Sequence, residues 1–149
     1  MLNNLKKLFS DKDNASAQEM DPKLAFSALL LEAGMMDGNL DDNEKLVINN
    51  LISNSFELSS DETEELINEA INLQNDSSQL IHLTKPIKEN FSENQRIDMI
   101  EMMWQVILSD GEEHMYEKNL MRRIAGLLYI TDKDSGIARK RAMENISSE

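Results

Sequence analysis

Eight polar residues in two matched stretches are the part of this chain best suited to chemistry. Asp37, Asn39, Asp41 and Glu44 stand at positions i, i+2, i+4 and i+7, and Asp110, Glu112, His114 and Glu117 repeat that spacing. Oxygen donors spaced in this way can surround a hard divalent cation such as calcium. The second set departs from the first at one place, where His114 replaces Asp41. An imidazole beside Glu113 and Glu117 suits zinc, although a lone histidine is more often a surface residue. Neither stretch is an EF-hand, because the twelfth position counted from Asp37 is Ile48, where that loop requires a bidentate glutamate. A cation held here would therefore need ligands from elsewhere. A second reading competes. Asp37-Gly38 and Asp110-Gly111 are turns, each followed by a helix start, and carboxylates there are explained by capping and dipole compensation alone. The metal candidates are thus Asp37, Asp41, Glu44, Asp110, His114 and Glu117.

Other chemistries find little support. There are no cysteines, which excludes disulfides, thiolate zinc sites and cysteine nucleophiles. No nucleophile elbow and no phosphate-binding glycine loop is present. The expectation is a protein that is not an enzyme. A formal net charge of −13 argues against nucleic acid as a partner. The charge is divided along the chain. Residues 31–80 carry twelve acidic side chains and one basic one, whereas residues 114–143 carry seven basic and three acidic ones. Such a chain has two faces with which to dock a protein partner or another copy of itself.

The elements that position these residues are helical. Asp21-Pro22 opens a helix over about Lys23 to Met36 that is apolar on nearly every side, and Ser92-x-x-Gln95 opens another, from Ile97 to Leu108. Each runs into an Asp-Gly turn and then an amphipathic helix. The first of these has its stripe at Val47, Ile48, Leu51, Ile52 and Phe56; the second has Tyr116, Leu120, Met121, Ile124, Ala125, Leu127 and Leu128 inward. A third helix follows in each half: Ser59-x-x-Glu62 leads to Leu66, Ile67, Ala70 and Ile71, and Thr131-Asp132 leads to Ile137, Ala138, Ala142 and Ile146. Between the halves, Leu80, Leu83, Ile87 and Phe91 give a shorter helix that Pro86 should kink or divide. Five of the ten methionines, Met35, Met99, Met102, Met103 and Met121, fall on core stripes, and Trp104 is expected at the heart of the bundle.

A shift of 73 residues superposes the halves, laying Asp37-Gly38 on Asp110-Gly111, Glu44-Lys45 on Glu117-Lys118 and Phe56 on Tyr129. The expected fold is all-α, a compact bundle of about seven or eight helices with an internal pseudo-two-fold duplication. Residues 1–20 read as a short amphipathic segment and polar linker, and residues 21–149 as the helical domain, with repeats at about 21–74 and 93–149. Leu2, Leu5, Leu8 and Phe9, opposite Lys6 and Lys7, offer a weak membrane-surface contact within residues 1–9. No apolar run is long enough to span a bilayer and no signal peptide is legible, so a cytoplasmic location is expected.

The duplicated Met-x-Asp-Gly-x-x-x-x-x-Glu and Leu-Ser-Asp-Gly-x-x-x-x-x-Glu segments resemble the tellurite-resistance TerB-like family of small bacterial helical proteins. So do Met-Met-Trp-Gln-Val-Ile-Leu-Ser-Asp-Gly and Met-Arg-Arg-Ile-Ala-Gly-Leu-Leu-Tyr, within Met99 to Arg139. The resemblance covers about residues 21–143. It implies an all-helical pseudo-symmetric fold without known catalytic activity, a link to tellurite, metal or stress responses near the membrane, and cation binding at acidic positions. Those positions are Asp37 and Glu44 in the first half and Asp110 and Glu117 in the second.

Overall fold

A computed structural model describes residues 20–34, 42–75, 80–109 and 115–147. The expected N-terminal segment and both Asp-Gly turns, including Asp37, Asn39, Asp41, Asp110, Glu112 and His114, lie outside the described residues. Among the described residues the chain forms seven helices and no strand: α1 (Pro22–Gly34), α2 (Asp42–Phe56), α3 (Ser60–Asn75), α4 (Leu80–Asn90), α5 (Glu93–Leu108), α6 (Met115–Leu127) and α7 (Asp132–Ser147).

The helix starts follow from short polar signals. Asp21 accepts from the Lys23 N–H at 2.9 Å, and Pro22 occupies the first helical position, where its missing N–H is not needed. Ser59 and Glu62 form a reciprocal capping box at 2.9 and 3.2 Å, and Ser92 and Gln95 repeat it at the same two distances. The Ser59 backbone N–H and then the Ser59 hydroxyl hold the Glu62 carboxyl below the usual carboxylate range. Thr131 caps α7 through the Asp134 N–H at 3.1 Å.

α1 and α5 form the centre. Every residue of α1 from Ala25 to Leu31 is buried, and in α5 Met99, Ile100, Met103, Trp104, Val106 and Ile107 are buried. α1 and α5 touch, α3 packs on α1, and α7 packs on α5. α2 reaches across to α5 and α6 to α1, so contacts between helices of one half recur in the other. α4 lies between the halves against α1 and α6. Pro86 does not divide it: α4 is one helix from Leu80 to Asn90, and the Asn90 side-chain amide donates to the Pro86 carbonyl at 2.7 Å.

Two sequence expectations need correction. Tyr116 and Ile71, expected inward, are exposed, and so are Ile137 and Ile146 of α7. Trp104 belongs to the buried core, as expected, and also forms a wall of a surface cleft described below. The repeat register also slips. The offset of 73 matches buried pairs from Phe26/Met99 through Ile48/Met121 to Ile52/Ala125. The left-handed residues that end α2 and α6, Glu57 (φ 53°) and Tyr129 (φ 59°), are instead 72 apart. Both follow the same cap, with Leu58 N–H donating to Ser53 at 3.0 Å and Ile130 N–H to Ala125 at 2.8 Å. Phe56 therefore corresponds to Leu128, not Tyr129, and α3 and α7 correspond at 72.

Left-handed backbone strains any residue with a Cβ, which makes these two caps a test. Glu57→Gly is expected to raise stability by about 0.5–1 kcal/mol, because the relieved strain exceeds the added freedom of the unfolded glycine. Tyr129→Gly is expected to gain less or lose. The Lys88 ammonium lies 4.5 Å from the Tyr129 ring centroid and 3.4 Å from its hydroxyl, and both contacts disappear. Urea unfolding of the two variants checks the order; a destabilised Glu57→Gly would contradict it.

Candidate functional site

Of the six metal candidates, the described residues contain Glu44 and Glu117. Both sit in the first turn of their helices, α2 and α6, at the offset of 73, and both are only 6% exposed. Both are engaged by other groups of the protein. Burial is what the sequence could not show. An acidic residue at a helix N-terminus satisfies the dipole while fully hydrated, as exposed Asp42 does in the same turn of α2, whereas burying a carboxylate forfeits hydration.

The ends of the two halves also meet. The Asn43 amide, at the start of α2, donates to the Ser109 carbonyl at 3.1 Å. Ser109 immediately precedes Asp110 in the sequence, and this bond ties the end of α5 to the start of α2. Among the described residues no three His, Asp or Glu side chains group closely enough to hold a metal. Glu44 and Glu117 supply hard oxygen donors of the kind calcium or magnesium takes. The remaining candidate ligands, Asp37, Asp41, Asp110 and His114, belong to the turns outside the described residues. His82 is exposed on α4, a different element from the turns.

A second pair of related places was not anticipated. One cleft, of about 260 Å³, lies between α1, α2 and α3; another, of about 420 Å³, lies between α5, α6 and α7. The two are built from equivalent positions. Leu31, Lys45, Ile48 and Asn49 of the first correspond to Trp104, Lys118, Met121 and Arg122 of the second at an offset of 73, and Glu64 and Ile67 to Gly136 and Arg139 at 72. The first lining is electrically balanced, with Lys45 against Glu64. The second sets Lys118, Arg122 and Arg139 against Asp132. Helical periodicity puts Ile48, Ile67, Trp104 and Met121 on core stripes and Glu64, Lys118 and Arg122 on solvated faces; only the packing of three helices brings them together.

The two-sided charge read from the sequence is present on the surface. Glu64, Glu65 and Glu69 are exposed on α3, and Lys118, Arg122, Arg123, Lys133, Lys140 and Arg141 are exposed on α6 and α7. One of these cations is paired weakly, Arg141 with Glu101 at 3.8 Å. No described helix is long and apolar enough to cross a membrane.

Residues 23–140 match the family model described as tellurite resistance protein TerB. Among solved structures the chain is similar to a protein of unknown function, PG1108, from Porphyromonas gingivalis W83. The TM-score is 0.62 and the identity 17%, over 85% of this chain and 87% of that one, a likeness of fold. Comparison with curated protein sequences gives no match.

Proposed function

The chain belongs to the TerB family, and from that premise we propose that it is a non-catalytic, cation-responsive protein of the tellurite, metal or stress response. It works in the cytoplasm and takes a divalent cation such as calcium at its Asp-Gly turns. The observation that carries this reading is the matched burial of Glu44 and Glu117 beside those turns. Dipole compensation alone does not require either side chain to leave water. In this reading Glu44 joins Asp37 and Asp41, and Glu117 joins Asp110 and His114. The imidazole makes the second donor set softer, so the halves differ in their metal preference.

Titration with calcium, magnesium and zinc, following the backbone amides of Gly38 and Gly111, tests it. Both amides are expected to move saturably, and Glu44→Gln and Glu117→Gln are each expected to suppress the movement in their own half. Absence of any shift at millimolar metal would sink the proposal.

A second reading rests on the exposed acidic face of α3 and the basic faces of α6 and α7: an interaction module that docks a protein partner without metal. Charge reversal at Glu64, Glu65 and Glu69, on a helix remote in sequence from both turns, separates the two. It abolishes partner capture under the second reading and leaves the metal titration intact under the first.

A further inference from the structure

The two equivalent clefts have diverged toward positive charge at three matched positions, while a fourth, Ser60 to Asp132, adds a carboxylate. Asn49 and Ile67 of the first correspond to Arg122 and Arg139 of the second, and the Glu64 carboxylate corresponds to a bare glycine, Gly136. Each of these three changes makes the second cleft more attractive to an anion. Lys118 and Arg122 are exposed, and neither side chain makes a hydrogen bond or ion pair among the described residues. The guanidinium carbon of Arg139 stands 5.5 Å from the Trp104 ring centroid, a position that keeps this cation at the cleft wall.

Two further features suit a ligand better than they suit the fold. Trp104 lines the cleft and is only 5% exposed, and its indole N–H has no acceptor among the described residues. A buried donor without an acceptor is costly, and the Nε1 atom is itself closed to solvent, so an acceptor reaches it only when the cleft wall shifts. Gly136 lies inside α7, where glycine weakens a helix, yet a Cβ placed there would meet nothing within 4 Å. Packing thus gives no reason for glycine at this position. What its small size provides is room and exposed backbone beside three cations. Asp132, the one carboxylate of the lining, is exposed in the first turn of α7.

We propose that the cleft between α5, α6 and α7 binds a phosphate group. Arg122 offers a planar fork that matches a tetrahedral oxyanion, Lys118 adds a point charge, and Arg139, held against the Trp104 ring and donating to Met143 Sδ at 3.5 Å, adds positive charge at the wall. The equivalent cleft between α1, α2 and α3, with Lys45 balanced by Glu64, does not bind it. This site is separate from the cation reading of the Asp-Gly turns and stands or falls independently of it.

Trp104 is the sole tryptophan, so intrinsic fluorescence of the full chain reports on the site directly. Inorganic phosphate is titrated at constant ionic strength against chloride, and vesicles of phosphatidylcholine with and without phosphatidic acid form a second arm. A saturable fluorescence change with phosphate identifies a free phosphate ligand; one seen with phosphatidic acid alone identifies a lipid headgroup. In either case Lys118→Gln combined with Arg122→Gln is expected to weaken binding about tenfold or more. Gly136→Glu, which restores the carboxylate of the first half where a side chain has open space, is expected to abolish it. Lys45→Gln leaves it unchanged. Circular dichroism of these variants, all at exposed positions, confirms their fold. The proposal is overturned by no saturable change in either arm, by a change that survives in both cleft variants, or by equal weakening in Lys45→Gln.

Discussion

Phe26→Ala is expected to lower the free energy of unfolding by about 3–5 kcal/mol, a large share of the roughly 5–15 kcal/mol that stabilises a typical domain. Phe26 is fully buried in the first turns of α1, the helix that α2, α3, α4 and α5 all touch. Removing the ring deletes apolar burial and leaves a cavity that four surrounding helices cannot all close. The ring also meets Phe56 edge-on, with centroids 6.1 Å apart and planes at 89°, and the Lys23 ammonium lies 6.0 Å from the Phe56 centroid. Phe56 is half-buried at the end of α2, so Phe56→Ala is expected to cost less. The double variant should show a coupling of about 0.5–1.5 kcal/mol, the aromatic pair's contribution beyond burial. Urea unfolding of the single and double variants measures all three quantities. A loss below about 1 kcal/mol for Phe26→Ala would mean that α1 does not organise the core.

The centrality of α1 was legible in the sequence, because a helix that is apolar on all sides has only one stable location. The same reasoning located α5. The helix starts were legible as well: Asp21-Pro22, Ser59/Glu62, Ser92/Gln95 and Thr131 are local signals, and their bonds form as the residue types require. Errors arise where position depends on partners distant in sequence. Ile137 and Ile146 continue an apolar pattern on α7, yet α7 approaches α5 through Ser135, Ala138 and Ala142, the small residues, and the isoleucines are left outside. The one-residue slip between the repeats was hidden for a different reason. The caps at Glu57 and Tyr129 adopt left-handed backbone without the glycine or asparagine that usually marks it.

The functional positions divide in the same way. Glu44 and Glu117 could be singled out from spacing, but their burial could not, since it depends on how α2 and α6 pack against the rest of the chain. The basic cleft was invisible to a linear reading. Trp104 belonged to a core stripe, Lys118 and Arg122 to a solvated face and Gly136 to the interior of a polar helix, and α5, α6 and α7 had to pack before they shared a surface. The 73-residue repeat nevertheless held the means of comparison: once the register is corrected to 72 beyond the caps, every substitution between the clefts can be read off the two halves.

The small-residue contact of α7 also defines the second large effect. Ala138 and Ala142, one turn apart, are fully buried in a helix whose other side chains are mostly polar. Ala138→Asp places a carboxylate in that seam. Burial raises its pKa above the unfolded value of about 3.9, and a shift of about 3 units corresponds to about 4 kcal/mol of lost stability. The sign follows from the raised folded-state value. The electrostatic penalty is fully present at pH above the raised pKa, declines as pH falls toward the unfolded value, and is absent below it. The variant is therefore expected to be far less stable than the parent at pH 8 and closer to it at pH 5. Met143→Asp, one position beyond Ala142 and exposed, is expected to stay within about 0.5 kcal/mol at both. Because α7 packs chiefly on α5, it can detach before the rest unfolds. Hydrogen exchange resolves this: if α7 amides lose protection while those of α1 keep theirs, the measured loss is the docking free energy of α7 on α5. Unchanged stability of Ala138→Asp at pH 8 would show that the seam between α5 and α7 is open to water.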